Sequence, residues 1–424
     1  EAQTFCRGCA CFDPQGGGCL CYACSGGFFL SGQGVSVGKI SITSRFDAGA
    51  IEVIKAEQAD DIQVRLRPDI NAPFSQWFYF RLQGARGQAA HITFVDMDKS
   101  AYLAGWENYG MVVSYDRQEW FRVPVSYDGK TMTVAFEPES NDVWCAYFEP
   151  YSHERHLDFV AECGHDENVE SDALGVSVEG RDLTLLTITA PPSDLSHAAT
   201  PLSARKKIWV IARQHPGESM AEWAAEGFVE RLLDRADPVS RVLLEKCIFY
   251  VVPRMNPDGA VNGNLRTNAN GADLNREWEN PTLERSPEVF LVREKMLATG
   301  VDLFIDLHGD EGLPYNFVAG CEGVPNYDAR HAALENAFKQ AWLAVCPDFQ
   351  VQHGYPRNAP GQANMKMATA WIGNHFRCLS YTVEMPFKDN ADRPDPVTGW
   401  NGERSKALGA SLLLPMLSVL EQLR

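Results

Sequence analysis

The sequence lacks any apolar run long enough to cross a membrane. Its nearest approach, residues 407–420, is interrupted by Ser411, Pro415 and Ser418, whereas a spanning helix needs roughly 18 consecutive apolar residues or more. Basic residues are also few, with 38 Lys and Arg against 56 Asp and Glu and a net charge of −18. Because this charge repels phosphates, it argues against non-specific binding to nucleic acid and to anionic lipid.

The composition is otherwise that of a folded globular protein. Of the 424 residues, 45% are hydrophobic and 22% are charged, which excludes disorder for most of the chain. The length suits two domains. We expect a Cys/Gly-rich leader over residues 1–38, a β-sandwich domain over residues 39–158 and an α/β domain over residues 159–424.

Cysteine is unevenly distributed, since six of the twelve cysteines lie before residue 25. The other six show no paired spacing, and several lie in apolar runs, so we expect reduced and buried thiols in a cytoplasmic protein. These six are Cys145, Cys163, Cys247, Cys321, Cys346 and Cys378.

The early cysteines include two Cys-x-x-Cys pairs, Cys6/Cys9 and Cys21/Cys24. Four such thiolates could bind a zinc ion. Two further cysteines have no place in that site, however, and no patterned core could cover it. We therefore favour a leader that is disordered or not native and that takes no part in the chemistry.

Residues 39–158 consist of short β-favouring runs in which apolar and polar side chains alternate. The pair Asp128-Gly129 between two such runs predicts a hairpin, because glycine tolerates the positive φ of a tight turn. Many short strands without helical stretches between them predict an antiparallel β-sandwich. His153, His156 and His165 follow and could bind a metal together with Cys163, but no carboxylate pattern supports that interpretation and we do not favour it.

After residue 159, near-continuous apolar strands alternate with helical stretches. Strands are predicted over residues 208–212, 247–252, 301–307 and 379–383, and helices over residues 219–234, 286–298, 328–346 and 403–423. Apolar strands of this kind are buried on both faces of a sheet. The pattern therefore predicts a doubly wound α/β domain with a mixed sheet.

Three of these strands end in residues that can bind a metal or transfer a proton. His215 and Glu218 follow the first strand, His308 ends the third and Glu384 ends the fourth. Ligands of α/β sheets bind beyond the carboxyl ends of the strands. A His and a Glu three residues apart, joined by a later His, can form a three-ligand zinc site with an open position. Alone the spacing is a weak signal, because His308 and Glu311 also match it.

Five motifs in order carry a family resemblance. They are His-Pro-Gly-Glu at 215–218, Asn-Pro-Asp-Gly at 256–259, Asp-Leu-Asn-Arg at 273–276, Asp-Leu-His-Gly at 306–309 and Thr-Val-Glu at 382–384. Together they resemble the zinc metallocarboxypeptidases. The stretches 76–80, 147–152 and 381–387 further resemble the cytosolic carboxypeptidase, deglutamylase-like branch, and the resemblance covers about residues 40 to 424.

The resemblance implies that residues 159–424 are a zinc carboxypeptidase catalytic domain with one zinc per chain. His215, Glu218 and His308 would be its zinc ligands. Glu384 would be the general base and acid, which takes a proton from a zinc-activated water and returns it to the leaving amine. Arg266 would stabilise the oxyanion as a fixed positive donor.

The remaining site residues are implied in the same way. Asn275 and Arg276 would hold the terminal carboxylate of the substrate, because a guanidinium offers a bidentate fork to a carboxylate. Asp273 would orient a zinc-binding histidine through its second ring nitrogen. Lys366 lies near the stretch where deglutamylating relatives carry a basic residue, and a merely solvated lysine is an equally open interpretation.

We therefore expect a cytoplasmic zinc carboxypeptidase that removes C-terminal residues, with glutamate as the expected one, from peptides or protein tails. Acidic tails are the expected partners, and neither nucleic acid nor membrane is. Gly309-Asp310-Glu311 departs from the family pattern and alters the wall of the substrate site. Tyr355 and Tyr381 both remain open as a substrate-site tyrosine.

Two other functions remain open at this point. An aspartoacylase-like deacylase shares His-x-x-Glu and a later His but acts on N-acyl amino acids. A non-catalytic protein could keep the fold and bind acidic tails, although the presence of every implied catalytic residue argues against it.

Overall fold

The structure is a computed structural model that describes residues 39–191 and 200–424. The predicted leader and its Cys-x-x-Cys pairs lie outside the described residues. Across the described ranges, no helix has both the length and the apolar character that a membrane span requires. The six scattered cysteines are free and buried.

The N-terminal module contains nine strands within the described residues. They are β1 (Ser41–Thr43), β2 (Glu52–Gln58), β3 (Asp61–Arg65), β4 (Tyr79–Gln83), β5 (Ala90–Val95), β6 (Gly110–Ser114), β7 (Trp120–Tyr127), β8 (Met132–Phe136) and β9 (Asp142–Ala146).

These strands follow the order β1-β4-β9-β6-β7-β8-β5-β3-β2. Strand β7 pairs with β6 through residues 120–124 and with β8 through residues 125–127, so it joins the two halves of the sandwich. All pairs are antiparallel except β3 with β5, which is parallel. The predicted turn between β7 and β8 is confirmed, with Gly129 at φ +92° and the Asp128 carboxylate accepting from the backbone N–H groups of residues 130 and 131.

The second sheet contains seven strands within the described residues. They are β10 (Val169–Val176), β11 (Asp182–Ile188), β12 (Lys206–Ala212), β13 (Cys247–Val252), β14 (Leu303–Asp310), β15 (Phe317–Ala319) and β16 (Leu379–Pro386). Their order is β10-β11-β13-β12-β14-β16-β15. The central strands β13, β12, β14 and β16 are parallel, and both edges are antiparallel. The predicted combination of a β-sandwich with a mixed-sheet α/β domain is thus confirmed.

Nine α-helices lie in the described part of the chain. They are α1 (His153–Cys163), α2 (Ser219–Leu232), α3 (Pro238–Lys246), α4 (Pro257–Asn262), α5 (Pro287–Thr299), α6 (Ala329–Val345), α7 (Ala368–Phe376), α8 (Gly402–Ser411) and α9 (Leu413–Val419). The predictions for α2, α5 and α6 are confirmed. The single helix predicted over 403–423 is wrong: two helices meet at Leu412, and Pro415 lies in the first turn of α9, where its missing N–H costs least.

Helix α1 was not predicted, because its sequence is polar and rich in charge. Ser152 caps its N-terminus by accepting from the backbone N–H of Arg155, an arrangement that satisfies an otherwise unpaired helix donor. The helix runs across residue 158, and the domain division proposed there stays a prediction.

The β-module packs directly on the α/β domain. The Tyr147 ring stacks on Phe387 at a centroid distance of 4.6 Å. The guanidinium of Arg122, which follows the start of β7, donates to the backbone oxygens of Phe387 and Trp400 over 2.8 and 2.9 Å. Buried aromatic area and these charge-assisted hydrogen bonds therefore fix the module next to the end of β16.

Candidate active site and metal centre

The three predicted metal ligands converge at the carboxyl ends of the central strands. His215 and Glu218 follow β12, and His308 lies in the last part of β14. Three possible ligand atoms, one from each residue, lie within 4.8 Å of one another, and all three residues are buried. Among the described residues this is the sole group of that kind.

The two imidazole rings are oriented alike around Glu218. The Nδ1 atoms of His215 and His308 lie 2.7 and 2.8 Å from the two carboxylate oxygens. Their Nε2 atoms face other carboxylates, at 3.0 Å from Asp273 and 2.9 Å from Asp306. Because those carboxylates fix the second ring nitrogen, each Nδ1 can bind a cation once the ring is neutral, and binding would release any proton held there. Two imidazoles and one carboxylate fit the donor set of a catalytic zinc site.

The charge state of Glu218 suits this role. Burial alone would raise the pKa of its carboxyl, but His215 and His308 beside it lower that pKa well below its usual value. The side chain is therefore a carboxylate at neutral pH, which is the form that binds a metal.

A sharp turn at Arg213 brings the ligand loop back over the sheet. Arg213 has φ +60°, a conformation that costs a non-glycine residue of the order of 1 kcal/mol. Its buried guanidinium compensates by donating to the backbone oxygens of Pro216 and Tyr151 over 2.8 and 2.9 Å. Gly217 allows the close approach that follows, because a Cβ there would lie 3.0 Å from the backbone of Leu265.

Glu384 stands beside His308, since the two residues are direct partners on the parallel strands β16 and β14. Its Oε1 accepts from the Tyr355 hydroxyl over 3.3 Å, and its buried Oε2 has no hydrogen-bond partner among the described residues. Burial raises the pKa of the Glu384 carboxyl well above its usual value; His308 opposes this rise, and the carboxylates of Glu218 and Asp310 add to it. A carboxyl raised toward neutrality is suited to accept and return a proton.

Tyr355, and not Tyr381, reaches this part of the site. The single proton of the Tyr355 hydroxyl is shared with Asp310, whose oxygen is the nearer acceptor, at 2.5 Å. The Tyr381 hydroxyl instead donates to the backbone oxygen of Glu335 over 2.9 Å, within the core. Sequence reasoning left the two tyrosines open because the segment around residue 355 has no regular secondary structure.

Arg266 and Asp273 are linked to the metal centre in a chain. The Arg266 Nε donates to one oxygen of Asp273 over 2.7 Å, and the other oxygen of Asp273 contacts His215. Burial would raise the pKa of Asp273, but His215 and Arg266 lower it well below its usual value. Asp273 therefore presents a negative charge to both partners.

Asn275 and Arg276 lie on a one-turn 3-10 helix, Leu274–Arg276, next to Asp273. The Asn275 side-chain oxygen accepts from the backbone N–H of Ala368 over 2.9 Å, so this turn is tied to the start of α7. Lys366 lies just before α7 with an exposed side chain, and its ammonium has no hydrogen-bond or ion-pair partner in the described part of the chain. Its predicted role stays a prediction.

Three further residues behind the candidate metal centre were missed. The Gln214 amide donates to Asp306 over 2.6 Å, and the Trp278 indole donates to Gln214 over 2.8 Å. Asp306 could have been found, because it stands two residues before His308 in a strand and so shares its face. The contribution of Trp278 depends on a loop contact and leaves no such signal.

A cavity of about 600 Å³ lies next to Tyr355, the tyrosine that contacts Glu384, although Glu384 itself does not line it. Tyr355 and Thr382 line it, and Thr382 precedes Glu384 by two residues on β16. Its lining contains charges of both signs, namely Glu322, Glu335, Lys339 and Arg357. A cavity of this size can hold a single amino-acid side chain and its carboxylate.

Two family models match the chain in succession. The cytosolic carboxypeptidase N-terminal domain matches residues 42–148, and the zinc carboxypeptidase model matches residues 157–400. The fold and the site together define a metallocarboxypeptidase. The chain belongs to the zinc carboxypeptidase family, and its resemblance to the cytosolic carboxypeptidase branch is confirmed.

Two solved structures share both domains with the chain. A metallo-carboxypeptidase from Burkholderia cenocepacia is 50% identical with a TM-score of 0.86, covering 90% of this chain and 100% of that one. A metallo-carboxypeptidase from Pseudomonas aeruginosa, in complex with (2-guanidinoethylmercapto)succinic acid, is 47% identical with a TM-score of 0.86, covering 91% and 100%.

Two curated relatives differ in how far they extend. An uncharacterized protein of Zymomonas mobilis is 43% identical over 91% of this chain and 97% of its own length. Cytosolic carboxypeptidase 1 of Mus musculus is 28% identical over 66% of this chain, but the match spans only 26% of that much longer protein.

Proposed function

We propose that the chain is a zinc-dependent carboxypeptidase that removes C-terminal amino acids from peptides or protein tails, with one zinc per chain. The observation that carries this proposal is the convergence of His215, Glu218 and His308 with Glu384 beside them. Zinc bound to these ligands would polarise the scissile carbonyl and increase the acidity of a water molecule.

Glu384 would transfer the proton. The partnerless Oε2 is the acceptor available to the attacking water, while Tyr355 holds Oε1. Glu384 then returns the proton to the leaving amine, so that one buried carboxyl serves as base and acid in turn.

Two arginines would handle the negative charges of the reaction. Arg266, oriented by Asp273, would donate to the oxyanion that forms from the carbonyl oxygen. Arg276 and Asn275 would bind the C-terminal carboxylate, which restricts cleavage to the last residue. The Pseudomonas aeruginosa relative was solved with a succinic acid derivative that also carries a guanidino group. Its carboxylates support a site that binds a terminal carboxylate, whereas its guanidino group is a cation and favours a basic side chain over glutamate.

We propose glutamate as the C-terminal residue that is removed. Lys339 and Arg357 in the cavity offer cations to its side chain, and Lys366 is the further basic residue near it. Glu322 and Glu335 would instead attract a basic side chain. The preference between glutamate and a basic C-terminal residue therefore has to be tested. The proposal keeps a cytoplasmic location, which the six free, buried thiols support.

Mass spectrometry of peptides that end in Glu, Asp, Lys, Leu or Phe tests these points, with and without zinc. We expect stepwise loss of C-terminal residues that a chelator abolishes, no cleavage of the matched C-terminal amides, and fastest release of glutamate. The preference for glutamate should be measured in Arg357→Ala and in Lys366→Ala and compared with that of the parent. Only the loss of a residue that contacts the glutamate side chain should lower this preference.

Faster release of lysine than of glutamate would overturn the glutamate proposal but not the carboxypeptidase. Turnover of N-acetylaspartate without peptide cleavage would favour the deacylase. A zinc-loaded protein that is inert toward all peptides and that binds acidic tails would favour the binding protein.

A further inference from the structure

The loop that carries Arg266 is held by the β-module. Asp69 lies in the segment between β3 and β4, and its residue is only 5% exposed. Its Oδ1 accepts from the Leu265 backbone N–H over 2.6 Å. Its Oδ2 accepts from the backbone N–H groups of Arg266 and Thr267 over 2.8 and 2.9 Å, and from the Thr267 hydroxyl over 3.0 Å.

The same module also flanks the Arg266 side chain. The Arg266 guanidinium carbon lies 5.7 Å from the ring centroids of both Phe74 and Tyr102, a distance at which a cation is attracted to an aromatic face. In the reverse direction, the backbone N–H of Ile70 donates to Asn264 over 3.0 Å. Backbone and side chain of the arginine are therefore both fixed from the other domain.

We infer that Asp69 is a positioning residue for Arg266, and that the β-module completes the catalytic site by holding this arginine. The inference rests on the proposed role of Arg266 as the oxyanion donor. Such a donor lowers the barrier only if it is already in place when charge develops. One carboxylate that accepts four hydrogen bonds from three consecutive residues supplies that fixed placement.

The requirement for a carboxylate is specific. All four groups that face Asp69 are donors, and both carboxylate oxygens are acceptors. An asparagine at this position would keep one acceptor and turn an NH2 group toward backbone N–H groups, so at least one of those hydrogen bonds is lost. The change is small in volume and concentrated on the loop of residues 265–267.

Steady-state kinetics of full-length, zinc-loaded Asp69→Asn tests the inference, with the peptide of the panel that the parent cleaves fastest. We expect kcat to fall by at least about 10-fold and by no more than the roughly 100- to 1,000-fold loss that removal of an oxyanion donor causes, while KM changes little. Asp302→Asn is the matched control, because Asp302 accepts from the backbone N–H of Lys207 at the opposite end of the central strands. It should keep the parent kcat.

A double substitution separates positioning from general destabilisation. If Asp69 acts through Arg266, kcat of Asp69→Asn combined with Arg266→Ala should equal that of Arg266→Ala alone. Multiplied losses in the double variant would overturn the inference. If Asp69→Asn does not fold, Phe74→Leu replaces it, since Phe74 is only half-buried, and the same non-additive loss of kcat is expected.

Amide hydrogen exchange of residues 265–267 gives a readout that needs no substrate. Exchange there should be faster in Asp69→Asn than in Asp302→Asn, with zinc content equal in both. Unchanged exchange together with an unchanged kcat would overturn the inference. If no peptide is cleaved by the parent protein, the proposed function fails, while the exchange result still shows whether Asp69 anchors the loop.

Discussion

His308 and Glu384 are direct partners on the adjacent parallel strands β14 and β16. This register places the imidazole of a candidate metal ligand beside a carboxylate oxygen that is unpaired among the described residues, without any contribution from a flexible loop. Strands buried on both faces hold such a pair rigidly, and precise placement of reacting groups is a large part of catalysis. His308 could therefore bind a metal ion while Glu384 contacts a water molecule, without any rearrangement of the sheet.

Glu384→Gln should abolish most activity without loss of zinc. Glutamine keeps the size of the side chain but cannot take a proton, so kcat should fall by about 100- to 10,000-fold. Peptide kinetics and metal analysis of the same preparation check this. Glu149→Gln is a suitable control, because burial also raises the pKa of that carboxyl, to about 7, and its side chain accepts from the backbone N–H of Gly402 and contacts none of the metal ligands through a hydrogen bond. Full activity in Glu384→Gln would contradict the mechanism.

Tyr355→Phe should lower kcat/KM by about 10-fold, because it removes the hydroxyl proton that Glu384 and Asp310 share. It should also move the acid limb of the pH profile to higher pH. The hydroxyl donates to the ionised form of Glu384, so its loss disfavours that form and raises the pKa of the carboxyl. Tyr327→Phe, which removes a hydroxyl bonded to Glu335 in the same cavity, should leave the acid limb in place. An unchanged limb in Tyr355→Phe would contradict the assignment.

Asp306→Ala should weaken zinc binding by about 10- to 100-fold, the usual cost of removing a carboxylate that orients a histidine ligand. Asp306 contacts the Nε2 of His308, and Gln214 holds it in place. Competition against a fluorescent chelator measures the affinity. Gln214→Ala should show a smaller loss in the same direction, and equal affinity in Asp306→Ala and the parent would contradict this role.

Arg276→Ala should raise KM more than it lowers kcat. A residue that binds the C-terminal carboxylate equally in the ground state and the transition state contributes mainly to substrate binding. Kinetics with one peptide and its C-terminal amide check this, because the amide should already be a poor substrate for the parent. A lower kcat at unchanged KM would contradict the role in carboxylate binding and would indicate that Arg276 acts in the chemical step.

The convergence of the candidate metal ligands could be predicted because each of them follows a recognisable apolar strand. His215, Glu218 and His308 lie at the carboxyl ends of β12 and β14, and parallel strands bring those ends together. The contributions of Tyr355 and Asp69 could not be predicted in this way. Tyr355 reaches Glu384 from an irregular segment, and Asp69 reaches the loop of Arg266 from nearly 200 positions earlier.

The surroundings of His156 could not be predicted from the local sequence either. His153, His156 and His165 invited a metal hypothesis that we did not favour for lack of a carboxylate pattern. The structure places a carboxylate beside His156, since its Nδ1 lies 2.7 Å from Glu222. That carboxylate comes from a different helix, α2, so no local spacing could have indicated it. The contact is an ionic core cluster rather than part of the metal centre.

This cluster is centred on Glu222, which is fully buried one turn after Glu218. Its carboxylate accepts from Arg213 over 2.7 Å and from Arg254 over 2.9 Å, and it contacts His156. Burial alone would raise the pKa of Glu222, but Arg254, His156 and Arg213 outweigh burial and lower the pKa to about 2. The folded protein therefore holds this proton less tightly than the unfolded chain, whose glutamates have a pKa of about 4.3.

The sign of the pH effect follows from that difference. The stabilisation from Glu222 is fully present above pH of about 4.3 and is lost as the pH falls toward 2, with a total of about 3 kcal/mol. Glu222→Gln should flatten this part of the stability profile. At pH 7 it should lower the free energy of unfolding by about 3 to 5 kcal/mol, because it leaves two buried guanidinium groups without a counter-charge.

Urea unfolding at a series of pH values measures both effects. Glu230→Gln provides the control, because Glu230 lies two turns further along α2 with an exposed side chain, and exposed ion pairs contribute at most about 1 kcal/mol. Its stability profile should run parallel to that of the parent between pH values of about 4.3 and 2. A Glu222→Gln profile with the same slope as the parent would show that the acid lability arises from other carboxylates.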